Sequence, residues 1–223
     1  MAENLAVTRT DAAVASPGAV RDAGYSLTEL LISMGIFGGL MAIVMGILIS
    51  ISTTAADNMT RAAQVEEARI GIMQIDRQVR SGNVISDPSL ETSGDSGVAP
   101  GYSLRVFTQT NGVRKCVQWR EFFPDPGKPQ GELQYRSWDT NWQTGGTVEP
   151  WSVVARQVIA PVSGAPFAKV DPLSGTSAQS VSVTLRIQGE RTTSKPTTVT
   201  TILTGRNTVY GYPSDVCSPV PTP

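Results

Sequence analysis

The stretch that decides the fold is GYSLTELLISMGIFGGLMAIVMGILISI, which runs from Gly24 to Ile51. Its last 22 residues, Leu30 to Ile51, carry no charge and are rich in Leu, Ile, Met, Val and Gly. At a rise of 1.5 Å per residue, a helix over them is about 30 Å long, the thickness of a bilayer's hydrocarbon core. The apolar region of an ordinary secretory signal is shorter, about 7–15 residues, and precedes a small-residue cleavage site that is missing here. The run therefore predicts a membrane-spanning helix.

Glu29 stands at the border of this apolar run. A carboxylate at that depth is costly to bury unless a positive charge lies beside it. A cut after Gly24 would free the α-amine of Tyr25, which lies one helical turn from Glu29 and would supply that charge. In an assembled bundle of such helices, the carboxylate of one copy could then neutralise the amine of its neighbour.

This border resembles the class III signal of type IV prepilins and pseudopilins. In that family a polar leader ends in Gly, the next residue is apolar or aromatic, and a Glu stands fifth after the cut. Gly24, Tyr25 and Glu29 fill those places, and the apolar helix follows directly. The resemblance implies that a prepilin peptidase cuts between Gly24 and Tyr25 and methylates the Tyr25 amine. It also implies a single pass through the cytoplasmic (inner) membrane with the C-terminal head outside, and an extracellular filament after assembly.

The leader, residues 1–24, departs from the common pattern of the family. It is longer than many leaders, and its three acidic residues outnumber its two basic ones. The positive-inside rule therefore does not fix the orientation, which we take from the motif. The alternative at this border is an ordinary membrane anchor. Four glycines in the run suit close helix packing in a filament core, or reflect ordinary glycine tolerance in membrane helices.

An apolar stripe continues beyond the membrane-spanning run. Its members recur at spacings of three and four and are Val65, Ala68, Ile72, Ile75 and Val79. The polar residues predicted to lie off the stripe are Gln64, Glu67, Gln74 and Arg77. Basic residues followed by Ser81-Gly82-Asn83 predict a helix stop. We expect one helix from about Leu27 to Arg80, which spans the membrane or filament core over 25–52 and is amphipathic over 53–82.

Beyond Asn83 the pattern changes to that of strands. Six β-rich runs are Tyr102–Thr108, Val113–Trp119, Leu133–Trp138, Trp151–Ile159, Val181–Ile187 and Thr197–Leu203. The first two flank a hairpin signal at Gln109–Gly112. Stretches rich in Pro, Gly and Ser at 86–101, 124–131, 161–178 and 213–223 are predicted loops and tail. The prediction is an α+β fold, with the helix packed on an antiparallel β-rich head (83–212) and a Pro-rich tail (213–223).

The order of a long helix, a long loop and a sheet that ends near Thr204-Gly205-Arg206-Asn207 resembles the larger minor pilins. PilW-like minor pilins and the J-type pseudopilins of type II secretion share it. The resemblance implies a type IV pilin-like fold, with other pilin subunits bound through the N-terminal helix.

Composition excludes several classes of site. The chain has no histidine, so it has no Ser-His-Asp triad, Cys-His pair or imidazole metal site. A net charge of −1 without a basic cluster implies no nucleic-acid partner. Nothing indicates a cofactor or a small-molecule substrate. Cys116 and Cys217 are either a disulfide, which export favours, or two separate buried thiols.

Two residue types in the head are open to a functional interpretation. Trp119 and Trp151 occupy strand positions that predict core packing, whereas Trp142 lies in a polar loop and is the better candidate for a partner contact. Asp125, Asp139, Asp171 and Asp215 lie in loops where calcium is conceivable. They lack the spacing of a calcium loop, and Asp is common in turns.

Three hypotheses follow. The first is a structural subunit, a minor pilin or pseudopilin that serves adhesion, motility, DNA uptake or secretion, and not an enzyme. The second is a membrane-tethered extracytoplasmic binding module that needs neither the cut nor Glu29. The third, a tethered hydrolase that uses paired carboxylates, has no pair of residues to name.

Overall fold

The computed structural model describes residues 24–110, 112–171, 177–189 and 195–223. The chain divides into two compact units, Met1–Ile51 and Ser52–Pro223. Only Gly24 of the predicted leader belongs to the described residues, so the rest of that prediction lies outside them. A long N-terminal helix and an antiparallel sheet make the fold α+β, as the sequence predicts.

Helix α1 (Leu27–Arg80) has 54 residues and the bounds that the sequence predicts. Ser26 caps its start, because the Glu29 backbone N–H donates to Ser26 Oγ at 3.2 Å. The last turn contains Arg77, where a cation interacts favourably with the free carbonyl groups of a helix end. Cap, apolar run and basic end thus all favour one continuous helix.

Within Ser52–Pro223, α1 buries one face. The buried residues are Gln64, Ala68, Gly71, Ile75 and Val79, and Ile72 is partly buried. The prediction is wrong at its first turn, because Val65 is 44% exposed whereas Gln64 is 3% exposed. At about 100° per residue, Gln64 falls on the same side of Ala68 as Gly71, and Val65 falls on the other side. Thr197 Oγ1 donates to Gln64 Oε1 at 2.9 Å, which partly satisfies the buried amide.

In the described ranges, eight strands form one sheet. They are β1 (Gly82–Ile85), β2 (Ser103–Thr110), β3 (Val113–Phe122), β4 (Gln130–Asp139), β5 (Ser152–Ile159), β6 (Phe167–Val170), β7 (Ser180–Ile187) and β8 (Thr197–Thr204). A short helix, α2 (Ser93–Ser96), and single 3-10 turns at Pro88–Leu90, Trp142–Thr144 and Thr208–Tyr210 lie between them.

All strand pairs are antiparallel. The order from one edge is β1-β2-β3-β4-β5-β7-β6, and β8 also pairs with β7. Strand β8 runs along the whole of one edge of β7. On the other edge, β6 pairs with Ser180–Val183 and β5 reaches only Ile187. Neighbouring strands therefore follow the order of the chain from β1 to β5, and this order changes beyond β5.

The six predicted strands are confirmed with small shifts of their ends, and two strands were missed. Strand β1 begins at Gly82, inside the predicted helix stop, and β6 lies inside the predicted loop 161–178. Each has only four residues, too few for a period-2 pattern to show. Both are strands because neighbouring strands supply their hydrogen bonds.

The sheet curls around a core on its helix-facing side. The largest members of that core include Leu104, Trp119, Leu133, Phe167 and Leu185. A Cβ on Gly71 would meet Leu133 and Leu185 at 2.9 Å, so the helix backbone packs directly on the sheet. The Phe167 backbone N–H donates to the carbonyl of Gly101 at 3.0 Å, which joins the start of β6 to the chain just before β2.

Candidate processing and assembly site

Gly24 and Tyr25 precede the first turn of α1 and belong to no regular element. Among the described residues, a Cβ on Gly24 would meet no atom within 4 Å, and Tyr25 is 83% exposed. Proteases cut backbone that is exposed and free of helix or sheet hydrogen bonds. The Gly24–Tyr25 peptide bond therefore has the accessibility that the predicted cut requires.

Glu29 lies in the first turn of α1 and is exposed. Its backbone is tied into the helix, since Ser33 Oγ also donates to the Glu29 carbonyl at 2.7 Å. None of the ion pairs in the described part of the chain involves the Glu29 carboxylate. The backbone of Glu29 is therefore fixed in the helix, and its exposed carboxylate is open to a cation from another molecule.

The helix surface from Leu30 to Ile51 is apolar on all sides. Its large apolar side chains are exposed, for example Leu30 at 51% and Ile32 at 64%. Among the described residues, α1 is the helix that is long and apolar enough to cross a membrane. A helix that is apolar all round is normally covered by lipid or by other helices. This surface and Glu29 together form the candidate assembly site.

Cys116 and Cys217 form a disulfide with an S–S distance of 2.01 Å, which resolves the alternative that the sequence left open. It joins β3 to the C-terminal segment, residues 213–223, across a sequence separation of 101. Both sulfurs lie in a cluster with Phe107 and Trp138 on the side of the sheet opposite α1. The predicted Pro-rich tail is thus covalently attached to the sheet.

Arg136, on β4, holds the same segment through its guanidinium and is 2% exposed. It donates to the carbonyls of Pro221 at 2.9 Å, Thr222 at 2.8 Å and Asp95 at 3.0 Å. It also donates to Gln118 Oε1 at 2.7 Å. Burial, and next the nearby charge of Arg120, lower the pKa of Arg136 to about 10, so it remains charged at neutral pH.

Arg120, on β3, extends this buried polar layer. It donates to the Ser96 carbonyl at 2.8 Å and to Gln134 Oε1 at 2.9 Å. The Trp151 ring lies between the two guanidiniums, 3.8 Å from that of Arg120 and 4.4 Å from that of Arg136. Trp151 therefore stands just before β5 as a half-buried stacking partner, and not in the apolar core as its sequence position predicts.

A buried ion pair completes the layer. Arg105 Nη2 lies 2.8 Å from Glu91 Oε1, and the Glu91 side chain is 1% exposed. Burial raises the pKa of Glu91, and the charge of Arg105 partly offsets that rise. Sequence reasoning missed these charged residues. The alternation of Gln118 with Arg120 on β3 and of Gln134 with Arg136 on β4 is what a solvent-exposed face would also show.

Trp142 and Trp119 lie in different surroundings. Trp119 is 1% exposed in the core, as its strand position predicts. Trp142 is half-buried against the disulfide cluster, and its Nε1–H donates to the Pro219 carbonyl at 3.0 Å. Its indole thus packs on the C-terminal segment, and a partner contact through its outer edge stays a prediction.

The loop aspartates make local turns. Asp125 Oδ1 accepts from the Gly127 backbone N–H at 2.9 Å, and Asp139 Oδ2 accepts from Thr147 N at 2.9 Å. These backbone hydrogen bonds are the main cause that lowers the pKa of both carboxyls. In the described ranges, which exclude 172–176 and 190–194, no three Asp, Glu, Cys or His side chains are grouped so that they could hold a metal.

Comparison of the chain with protein-family models, with curated proteins and with solved structures finds no match. Function is therefore inferred from the residues and their geometry.

Proposed function

We propose that the chain is a minor pilin-like subunit. A prepilin peptidase cuts it after Gly24, and α1 then assembles it with other pilin subunits into a type IV pilus or a related filament. One observation carries the proposal: an accessible Gly24–Tyr25 bond and an exposed Glu29 stand directly before the exposed, charge-free helix surface from Leu30 to Ile51. A simple anchor would need the apolar residues but neither Gly24 nor Glu29.

The cut creates a positive charge that can pair with the Glu29 carboxylate. Before the cut, residue 25 has an amide nitrogen. After the cut it has a protonated amine, four residues before Glu29 and just before the first turn of α1. When the apolar surfaces of two helices pack in a low-dielectric core, an unpaired carboxylate and an unpaired amine are both costly. Pairing Glu29 of one subunit with the Tyr25 amine of the next removes both costs at once and sets the axial position of the two helices.

The mature chain, residues 25–223, is formally neutral after the cut. Removing the leader's two basic and three acidic residues from 18 and 19 leaves 16 of each. This balance gives no electrostatic reason for the mature chain to bind nucleic acid. The tethered binding module is the second candidate. It makes no use of Glu29, so a change of Glu29 separates the two candidates.

Replacing Glu29 by Gln is expected to reduce the chain's incorporation into sheared surface filaments about tenfold or more in the native host, because a hydrogen bond to a charged group contributes roughly 1.5–3 kcal/mol. Membrane levels of the cut chain should stay unchanged. Incorporation is measured by quantitative immunoblotting of filament and membrane fractions.

The matched control is Glu66→Gln, the same chemical change at an exposed carboxylate further along α1. It should leave incorporation unchanged. Equal incorporation of Glu29→Gln and wild type would refute the assembly role of Glu29, and absence of the wild-type chain from every filament fraction would favour the tethered module.

A further inference from the structure

A cavity of about 800 Å³ opens on the head between the chain just before β2, the end of β3 and the end of β7. Its walls are mainly apolar and include Tyr102, Phe123, Pro129 and Ile159. The rings of Tyr102 and Phe123 meet edge to face with centroids 6.2 Å apart. A concave, mostly apolar site of this size with few polar groups is typical of sites that bind small ligands.

Glu121 lines this cavity and is the one charged group there that is fully buried, at 0% exposed. It lies on the helix-facing side of β3, where its backbone N–H donates to the Tyr102 carbonyl at 3.0 Å. Within the described residues, neither Glu121 Oε1 nor Oε2 has a hydrogen-bond partner. Burial raises the pKa of Glu121 well above its ordinary value of 4.5. A buried carboxyl without a hydrogen-bond partner destabilises the folded head, unless another molecule pairs with it.

The other charged groups around the cavity are already engaged. Lys128 lies 3.5 Å from Asp125, and both are well exposed. Arg186 Nη1 donates to the Ala160 carbonyl at 3.1 Å. Among the described residues that line the cavity, Glu121 is therefore the charged side chain with neither a hydrogen-bond partner nor an ion-pair partner.

We propose that this cavity binds a small ligand that combines an apolar, preferably aromatic, body with a protonated primary amine, and that Glu121 is the residue that pairs with the amine. The positive charge of a bound ammonium group favours the carboxylate form of Glu121, and its three N–H donors are enough to satisfy both carboxylate oxygens. The aromatic rings of Tyr102 and Phe123 suit the apolar body and also attract a cation. The proposal is independent of the cut after Gly24 and of filament assembly.

The test compares three probes of similar size, 2-phenylethylamine, 2-phenylethanol and 3-phenylpropionate, on the full-length chain in phospholipid nanodiscs. Dissociation constants are measured at neutral pH by saturation-transfer NMR. The amine should bind at least about tenfold more tightly than the alcohol, and Glu121→Gln should weaken amine binding about 10- to 100-fold while it leaves alcohol binding within about twofold.

Glu149→Gln is the matched control, because it makes the same carboxyl-to-amide change at an exposed residue of the head that does not line the cavity. It should leave all three dissociation constants within about twofold. Near-ultraviolet circular dichroism checks that each variant is folded. Several outcomes would overturn the proposal: an alcohol or carboxylate that binds as tightly as the amine, amine binding that survives Glu121→Gln, or no amine binding up to about 10 mM.

Discussion

Replacing Cys116 and Cys217 together by Ser is expected to lower the free energy of unfolding of the head by about 2–5 kcal/mol, because the bond closes a loop of about 100 residues in the unfolded chain. For a unit of this size, that loss shifts Tm by on the order of 10 °C. Urea unfolding followed by tryptophan fluorescence measures it, since Trp138 packs in the disulfide cluster.

Wild type in a reducing agent is the internal control for this variant. It should lose the same free energy as the double variant, whose own stability should not respond to reductant. A loss below about 0.5 kcal/mol, the range of ordinary surface substitutions, would contradict the expected role of the bond.

Replacing Arg136 by Met is expected to cost about 3–5 kcal/mol, although Met conserves much of the side-chain volume. The change leaves the Pro221 and Thr222 carbonyls and Gln118 Oε1 without their donor in a buried place. Removal of one partner from a buried charged network carries a cost of about that size. The Trp151 ring also loses one of its two guanidinium neighbours. Urea unfolding measures the loss.

Arg114→Met is the matched control, because Arg114 is exposed on neighbouring β3. It should change stability by less than about 0.5 kcal/mol. If Arg136→Met is equally mild, the carbonyls it serves are satisfied by other means, and the proposed attachment of the C-terminal segment through Arg136 is wrong.

The disulfide and Arg136 hold the same segment, 213–223, so their effects should not add. Once the disulfide is removed, part of the segment is free to leave the sheet, and Arg136 then has less to stabilise. The combined variant should therefore lose less than the sum of the two single losses. This coupling follows from contacts that join Arg136 to the chain beyond Cys217.

The helix and most strands could be predicted because their patterns are local. The charge-free run to Ile51 and the basic last turn set the bounds of α1, and the alternation along Val181–Ile187 identified β7. The error at Val65 is one position along the chain. It still decides which side chain is buried, since one residue turns a helix by about 100°.

The parts that were missed depend on contacts between distant residues. Strands β1 and β6 are defined by their partners more than by their own residues. The burial of Arg120 and Arg136 depends on residues 86–101 and 213–223 covering a sheet face, which no local pattern in β3 or β4 encodes. The place of the unpaired Glu121 carboxyl likewise depends on the tertiary fold, which sets the end of β3 beside the cavity.

The most direct test of the central claim is the mass of the N-terminal peptide after expression of the full chain with and without a prepilin peptidase. We expect a new N-terminus at methylated Tyr25 when the peptidase is present. The leader should remain attached when the peptidase is absent or when Gly24 is replaced by Val, whose Cβ would meet no atom of the described residues within 4 Å. An intact leader in cells that process other prepilins would contradict the proposed cut after Gly24. The tethered binding module would then become the working hypothesis.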